Sequence, residues 1–188
     1  MLTYDIMGFF DTIPHLYLIH TLHELHVPLA MVQWTYSFLQ NRKASISLDG
    51  KKDSLSPINM GVPQGLCALL ILAAYFMAPL SKAITSGTQM RLTDHPTTLT
   101  NLCLNHSALS PHTLYVDDRS ISASAHTREE STQIIRSAFV SAHDWLKKRG
   151  LKTDQVKCEL IHFTRSNRGR HTGPGPSISI PMNTEGES

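Results

Sequence analysis

Residues 114–121 read Leu-Tyr-Val-Asp-Asp-Arg-Ser-Ile, and this octet is the starting point for predicting the fold of the whole chain. Two adjacent carboxylates, Asp117 and Asp118, stand between two short runs of β-strand character. The segment from Ser120 to Ser124 alternates polar and apolar residues, as a strand with one buried face does. A two-residue connection between such runs predicts a tight hairpin with Asp117 and Asp118 at its tip.

The adjacent carboxylates of Asp117 and Asp118 admit two explanations. Like charges at a hairpin tip repel each other unless a cation neutralises them, and Mg²⁺ prefers carboxylate oxygens. Aspartate is also a favoured turn residue, and a solvated hairpin needs no further reason to carry the pair. From the octet alone the turn explanation is the simpler one, so the metal-binding hypothesis needs support from elsewhere in the chain.

The composition indicates a folded protein. The chain has 188 residues, of which 41% are hydrophobic and 17% are charged, enough for one domain with a sizeable core. The net charge of +2 is too small to indicate a nucleic-acid partner by itself. Three cysteines far apart in sequence favour a reducing compartment over a disulfide framework or a cysteine-rich zinc site.

The N-terminus and the most apolar run bear on localisation. The first residues lack the basic and apolar regions of a signal peptide. The apolar run over 67–80 is too short to span a bilayer and predicts a buried helix. We therefore expect an intracellular protein that is not secreted and has no membrane partner.

The remaining pattern predicts alternating strands and helices, and this order is typical of an α+β fold with an antiparallel sheet and helices packed on one face. By composition, residues 1–165 form the folded domain, whereas 166–188 are rich in Gly, Pro and Ser and predict a flexible tail. The first predicted elements are a strand at 2–6, a helix capped by Asp11 or Thr12, and a helix at 28–41; the apolar stripe of the first helix is Leu18, Ile19, Leu22 and Leu25. A hairpin over 44–58 with its turn at Asp49-Gly50, a helix at 67–84 and a long connection over 85–111 follow. The last elements are the Asp117-Asp118 hairpin, a helix from the capping box Thr127–Glu130 to Gly150, and a strand at 158–164.

A third carboxylate, Asp5, stands near the end of the first predicted strand. If that strand neighbours the Asp117-Asp118 hairpin, three carboxylates converge from distant parts of the sequence. Such a cluster holds two Mg²⁺ ions about 3.5–4 Å apart, the spacing used for in-line phosphoryl displacement.

Four short motifs resemble, in order, the palm motifs of reverse transcriptases. Residues 5–11 (Asp-Ile-Met-Gly-Phe-Phe-Asp) are similar to the first motif, and residues 61–65 (Gly-Val-Pro-Gln-Gly) to the second. Residues 115–118 (Tyr-Val-Asp-Asp) are similar to the third, and residues 150–163, which include Lys157, to the fourth. Four motifs in order with suitable spacing favour the metal-binding hypothesis over the turn explanation. The segments Pro14-His15, Trp34 to Arg42 and Ser45 to Gly50 resemble the non-LTR (LINE-like) retrotransposon branch.

This resemblance, which covers about residues 1–165, implies a palm-type sheet and an RNA-directed DNA polymerase. The implied reaction transfers a nucleotide from a dNTP to the 3′-hydroxyl of a DNA primer on an RNA template, with two Mg²⁺ ions. The implied metal ligands are Asp5, Asp117 and Asp118 together with the backbone carbonyl of Ile6. The implied substrate contacts are Phe10 under the sugar of the incoming nucleotide, Gln64 and Gly65 at the nucleotide and template, Tyr115 in the same pocket, and Lys157 as proton donor or charge screen for the pyrophosphate.

The chain departs from the family pattern in three places. Residues 66–70 (Leu-Cys-Ala-Leu-Leu) replace a Ser-Pro-Leu-Ser-Pro-like stretch. The chain begins at the first motif and ends in the predicted tail, so we expect fingers and thumb to be largely absent and the chain to be part of a longer retroelement polyprotein. The alternative hypothesis to an active polymerase is a catalytically inactive remnant with at most weak nucleic-acid binding.

A two-metal nuclease is less favoured, because it needs neither Phe10 nor the Pro-Gln-Gly loop. A nuclear location is expected if the protein acts on genomic DNA.

Overall fold

The computed structural model describes residues 1–63, 67–93, 109–115, 118–125, 127–163 and 176–178. Their mixture of helices and antiparallel strands confirms the predicted α+β class. In chain order the elements are β1 (Leu2–Ile6), α1 (Phe9–Thr12), α2 (His15–Glu24), α3 (Leu29–Leu39), β2 (Lys43–Ala44), β3 (Ser47–Leu48), β4 (Lys51–Lys52), β5 (Ser56–Pro57), α4 (Cys67–Thr93), β6 (Leu109–Tyr115), β7 (Asp118–Ala123), α5 (Arg128–Lys147) and β8 (Thr153–Leu160).

Four strands form one antiparallel sheet in the order β6-β7-β1-β8. The N-terminal strand β1 is therefore central, with β7 on one side and β8 on the other. Leu2 pairs with Ile121 of β7, and Tyr4 pairs with Arg119. This register brings the first and third predicted motifs onto neighbouring strands.

Helix α5 packs on one face of this sheet. Its N-terminus is fixed by the predicted capping box, in which Thr127 Oγ1 accepts from the Glu130 N–H at 3.1 Å and the Thr127 N–H donates to Glu130 Oε2 at 3.2 Å. Phe139 meets Tyr4 of β1 edge to face, with ring centroids 5.2 Å apart. Burial in this core raises the pKa of Tyr4 to about 12. The apolar stripe of α5 is buried, and it consists of Ile134, Ile135, Ala138, Phe139, Ala142, Trp145 and Leu146.

The chain divides into two compact units. The sheet unit comprises Met1–Met7, Pro79–Lys148 and Lys152–Ser188, and contains the four-stranded sheet and α5. The helical unit comprises Gly8–Ala78 and Arg149–Leu151, and contains α1 to α3 and the short strands β2 to β5. The apolar residues of α2 and α3 that are buried are Leu18, Leu22, Val32 and Leu39.

The predicted cap of the first long helix is wrong. Asp11 and Thr12 belong to the short helix α1, and α2 begins after Pro14 without a side-chain cap. Thr12 Oγ1 donates instead to the carbonyl of Gly8 at 3.0 Å, because a threonine hydroxyl readily bonds to a backbone carbonyl one turn earlier. Leu25 follows α2 and is 38% exposed, so it does not extend the buried stripe.

Helix α4 is longer than predicted and occupies part of the expected connection over 85–111. It continues to Thr93, and β6 already begins at Leu109; residues 94–108 lie outside the described residues. The hydroxyls of Thr85 and Thr88 donate to carbonyls one turn earlier, at Ser81 and Ile84. The polar composition therefore concealed a helix whose polar groups are satisfied within the helix itself.

The strands also differ from the prediction at three boundaries. Asp118 pairs with Tyr115 and is the first residue of β7, so it is not part of the predicted turn; Asp117 lies outside the described residues. Strand β8 spans Thr153–Leu160 instead of 158–164, because a polar edge strand is held by pairing to β1 and lacks a clear apolar alternation. The hairpin over 44–58 forms as two short ladders, β2 with β5 and β3 with β4, with Asp49 and Gly50 at positive φ in its turn.

Among the described residues, the stretch Ala68–Thr88 of α4 is long and apolar enough to cross a membrane by length and composition. The expectation that the apolar run was too short for a span is therefore corrected. A core helix can have the same length and composition. Of this stretch 39% is buried, including Leu69, Phe76, Leu80 and Ile84, whereas Leu70 and Ile71 are exposed.

Candidate active site

Asp5 and Asp118 lie at the same end of the β1–β7 strand pair. Asp5 directly follows Tyr4, Asp118 directly precedes Arg119, and Tyr4 and Arg119 are paired. Both carboxylate residues line one surface cavity of about 340 Å³ in the sheet unit. The cavity is lined by Thr3, Tyr4, Asp5, Asp118, Arg119, Ser120, Lys157 and Glu159. The expected convergence of the first and third motifs is thus present for the two carboxylates that the structure describes.

The alternation of β1 explains why Asp5 is available at the surface. Leu2, Tyr4 and Ile6 are buried, whereas Thr3 and Asp5 are partly exposed, so the odd-numbered residues point away from α5. In β7, Arg119 and Ile121 are likewise buried while Asp118 is exposed. Burial of apolar residues against α5 therefore fixes the register that turns Asp5 and Asp118 outward.

Asp5 is held by one contact to each carboxylate oxygen. Oδ1 accepts from the Ile6 N–H at 2.8 Å, and Oδ2 accepts from Lys157 Nζ at 2.7 Å. Lys157 Nζ also lies 3.8 Å from Asp154 Oδ2, so one ammonium serves two carboxylates. The predicted residue Lys157 is therefore part of the site, whereas Asp154 was missed, because only the register of β8 shows that it faces the same lysine.

The acidic surroundings also affect the neighbouring thiol. The pKa of Cys158 is raised by burial first, and then by the negative charges of Asp154 and Asp5. Its Sγ donates to the Asp154 carbonyl at 3.3 Å. This thiol therefore stays protonated at neutral pH and is a poor nucleophile.

Several predicted site residues cannot be placed. Asp117, Gln64 and Gly65 lie outside the described residues, and for Tyr115 only the backbone in β6 is described. Among the described residues, no group of three His, Cys, Asp or Glu side chains could hold a metal ion, and the expected triad requires Asp117. Asp5 and Asp118 supply the carboxylate oxygens that Mg²⁺ prefers, so the donors that are described fit this metal in kind.

Phe10 belongs to the helical unit, whereas Asp5 belongs to the sheet unit. The Phe10 side chain is half-buried in α1, and its ring centroid lies 5.2 Å from that of Phe9. Its predicted contact with the sugar of a nucleotide stays a prediction.

Within the helical unit, the backbone that precedes the predicted Pro-Gln-Gly loop is fixed to the segment around α1. The Val62 N–H donates to the Phe10 carbonyl at 2.7 Å, and the Gly61 N–H donates to the Ile13 carbonyl at 2.8 Å. The Gly61 carbonyl accepts from His15 Nε2 at 2.7 Å and from Arg42 at 3.4 Å.

His15 and Arg42 are positioning residues that the sequence interpretation left without this role. A carbonyl can only accept, so the contact at 2.7 Å requires the proton on His15 Nε2. The one available signal was that Pro14-His15 belongs to a segment resembling the family, which indicates importance without indicating a partner.

A family model described as "Reverse transcriptase (RNA-dependent DNA polymerase)" matches residues 1–178. Because this match spans most of the 188 residues, the chain belongs to the reverse transcriptase family. Comparison with curated proteins gives no match. Membership confirms the family indicated by the four motifs, whose members use a nucleic-acid template and primer together with dNTPs.

Proposed function

We propose that the chain catalyses RNA-directed DNA polymerisation, with transfer of a nucleotide from a dNTP to the 3′-hydroxyl of a DNA primer on an RNA template. The observation that carries this proposal is the position of Asp5 and Asp118. They are more than a hundred positions apart in sequence, yet they line one cavity together with Lys157, in a chain that belongs to the reverse transcriptase family.

The proposed metal ligands are Asp5, Asp117 and Asp118, with the carbonyl of Ile6 as a backbone donor. Two Mg²⁺ ions, when bound there, supply activation of the primer hydroxyl and neutralisation of the pyrophosphate charge. Lys157 is proposed to donate a proton to the departing pyrophosphate or to screen its charge. Its ammonium already lies 2.7 Å from Asp5, which supports a place beside the reacting groups.

Nucleotide selection is proposed to depend on the predicted substrate-contacting residues. Phe10 would stack under the sugar and exclude a 2′-hydroxyl, while Gln64, Gly65 and Tyr115 would line the pocket of the incoming nucleotide and template. In support, the Phe10 carbonyl accepts the Val62 N–H at 2.7 Å, so Phe10 and the start of the Pro-Gln-Gly loop are parts of one hydrogen-bonded structure.

The wider assignment rests on the segments Pro14-His15, Trp34 to Arg42 and Ser45 to Gly50, which resemble the non-LTR retrotransposon branch. We propose that the chain is the palm-centred part of a longer retroelement polyprotein. Such a protein works inside the cell, and in the nucleus when its target is genomic DNA.

A catalytically inactive remnant with weak nucleic-acid binding is the second candidate. The observation that favours it is the apolar stretch over 66–70, which replaces the Ser- and Pro-containing stretch of the family. In the described part of this stretch, Leu69 is buried and Leu70 is exposed. An altered entry to α4 would change the shape of the nucleotide pocket without removing the carboxylates.

Primer extension on an RNA template with dNTPs and Mg²⁺ separates these candidates. We expect the parent chain to extend the primer and Asp117→Asn to be at least about 100-fold slower, because losing a metal ligand removes several kcal/mol of transition-state stabilisation. Asp49→Asn is the matched control, since it makes the same chemical change at a positive-φ turn position that asparagine tolerates. Equal extension by Asp117→Asn and the parent would refute the metal role. A parent that does not extend the primer would favour the inactive remnant.

A further inference from the structure

The contact between Lys157 and Asp5 joins an exposed cation to a shielded anion. Lys157 Nζ lies 2.7 Å from Asp5 Oδ2 and 3.8 Å from Asp154 Oδ2. The Lys157 side chain is 64% exposed, whereas those of Asp5 and Asp154 are 14% and 18% exposed. A flexible, well-hydrated ammonium therefore neutralises two carboxylates that the protein holds in place.

This ammonium has the position relative to Asp5 that a metal ion would need. Asp5 Oδ1 already accepts the Ile6 N–H at 2.8 Å, and Oδ2 accepts Lys157. A divalent cation bound by Oδ2 would come within a few ångströms of the Lys157 ammonium, and the two positive charges would repel each other. Full occupancy of this position by a divalent cation therefore requires the Lys157 ammonium to move away.

We propose that Lys157 is an internal counter-cation that competes with the divalent metal for Asp5. In the absence of metal it neutralises Asp5, and metal binding releases its ammonium into the cavity, where it is available to the pyrophosphate. The inference rests on the proposed function only in taking Asp5 as a metal ligand.

Asp154 offers the released ammonium an alternative partner. Its Oδ1 accepts the Val156 N–H at 3.1 Å, which fixes the carboxylate on β8. Its Oδ2 is already 3.8 Å from Lys157 Nζ, so a small rotation of the lysine stem is enough to exchange Asp5 for Asp154. The exchange needs no movement of the sheet, because Lys157 and Asp154 are on the same strand.

The test measures Mn²⁺ binding, by titration calorimetry and by electron paramagnetic resonance of free Mn²⁺, for the parent chain and Lys157→Met. We expect Lys157→Met to bind Mn²⁺ with a Kd about tenfold lower than that of the parent, because the ammonium that competes for Asp5 is removed. It should also have a lower Tm than the parent without metal and a larger gain in Tm with metal. Lys82→Met, an exposed lysine of α4 in the same unit, controls for the change in net charge.

The possible outcomes separate this inference from the proposed function. Equal or weaker Mn²⁺ binding by Lys157→Met, or equal tightening by Lys82→Met, overturns the competition. Tighter Mn²⁺ binding by Lys157→Met, together with no primer extension by the parent chain, supports the competition and counts against polymerase activity. Absence of Mn²⁺ binding in both proteins overturns the competition and the metal role together. Lys157→Gln repeats the comparison if Lys157→Met does not fold.

Discussion

The carboxylate of Asp5 influences the chemistry of a neighbouring thiol. Burial is the main cause that raises the pKa of Cys158, and the negative charges of Asp154 and Asp5 raise it further. A raised thiol pKa means less thiolate at a given pH and therefore slower alkylation. Removal of one of these negative charges must therefore lower the thiol pKa and make alkylation faster.

We therefore predict that Asp5→Asn accelerates alkylation of Cys158 by iodoacetamide at pH 8 by a few-fold, because loss of this negative charge lowers the pKa of the thiol. The measurement follows the peptide that contains Cys158 by mass spectrometry, so that Cys67 and Cys103 do not contribute. Asp53→Asn, an exposed carboxylate of the helical unit, is the control and should leave the rate unchanged. An unchanged or slower rate in Asp5→Asn would show that the charge of Asp5 does not reach the thiol.

At the scale of elements, Gly61 joins the predicted Pro-Gln-Gly loop to α1. Its φ of 78° is unfavourable for other residues, and a Cβ added there would lie 2.7 Å from the Asp11 carbonyl oxygen. Gly50 has a similar φ of 76°, but an added Cβ would meet nothing within 4 Å. Alanine would therefore be strained by the positive φ at both positions, but it would clash with a neighbouring atom only at Gly61.

We predict that Gly50→Ala loses about 1–2 kcal/mol of unfolding free energy through left-handed strain. Gly61→Ala should lose a further amount of about 1–3 kcal/mol, because the added methyl group forces the loop away from α1. Urea unfolding of both variants measures the difference. Equal losses at the two positions would mean that the loop yields without cost and is not fixed by α1.

The success of the sequence interpretation differed between elements for physical reasons. Helix α5 was predicted throughout, because its capping box and its apolar stripe are local signals. The end of α4 was missed, because its polar side chains donate to carbonyls one turn earlier in the helix. The start of β8 was missed, because this strand is held by pairing with β1, which is more than a hundred positions distant in sequence. Asp118 was predicted at the hairpin tip but begins β7, because a run of two aspartates does not indicate which of them begins the strand.

The same contrast applies to the candidate site. Asp5, Asp118 and Lys157 belong to motifs that resemble the family, and the structure brings these three residues to one cavity. Asp154 and His15 also lie in segments that resemble the family, but the resemblance gives neither of them a role. Only the fold shows their partners, Lys157 and the Gly61 carbonyl. The sequence can therefore indicate residues that carry chemistry, whereas positioning residues become visible through the contacts they make.

At the scale of the whole molecule, the chain consists of a sheet unit and a helical unit that carry different parts of the proposed chemistry. The sheet unit contains Asp5, Asp118 and Lys157, and the helical unit contains Phe10. Metal binding is therefore expected to depend on the sheet unit, and selection between deoxynucleotides and ribonucleotides on the helical unit. Family membership over residues 1–178 includes described residues of both.

The most direct measurement is the Mg²⁺-dependent change in Tm of the parent chain, Asp5→Asn, Asp118→Asn and the control Asp49→Asn, each compared with its own metal-free baseline. We predict a saturable increase for the parent and Asp49→Asn, equivalent to about 2.7 kcal/mol when Mg²⁺ reaches 100 times its Kd. Asp5→Asn and Asp118→Asn should lose most of that increase. Equal stabilisation of all four proteins, or none in the parent chain, would contradict a shared cation site at Asp5 and Asp118.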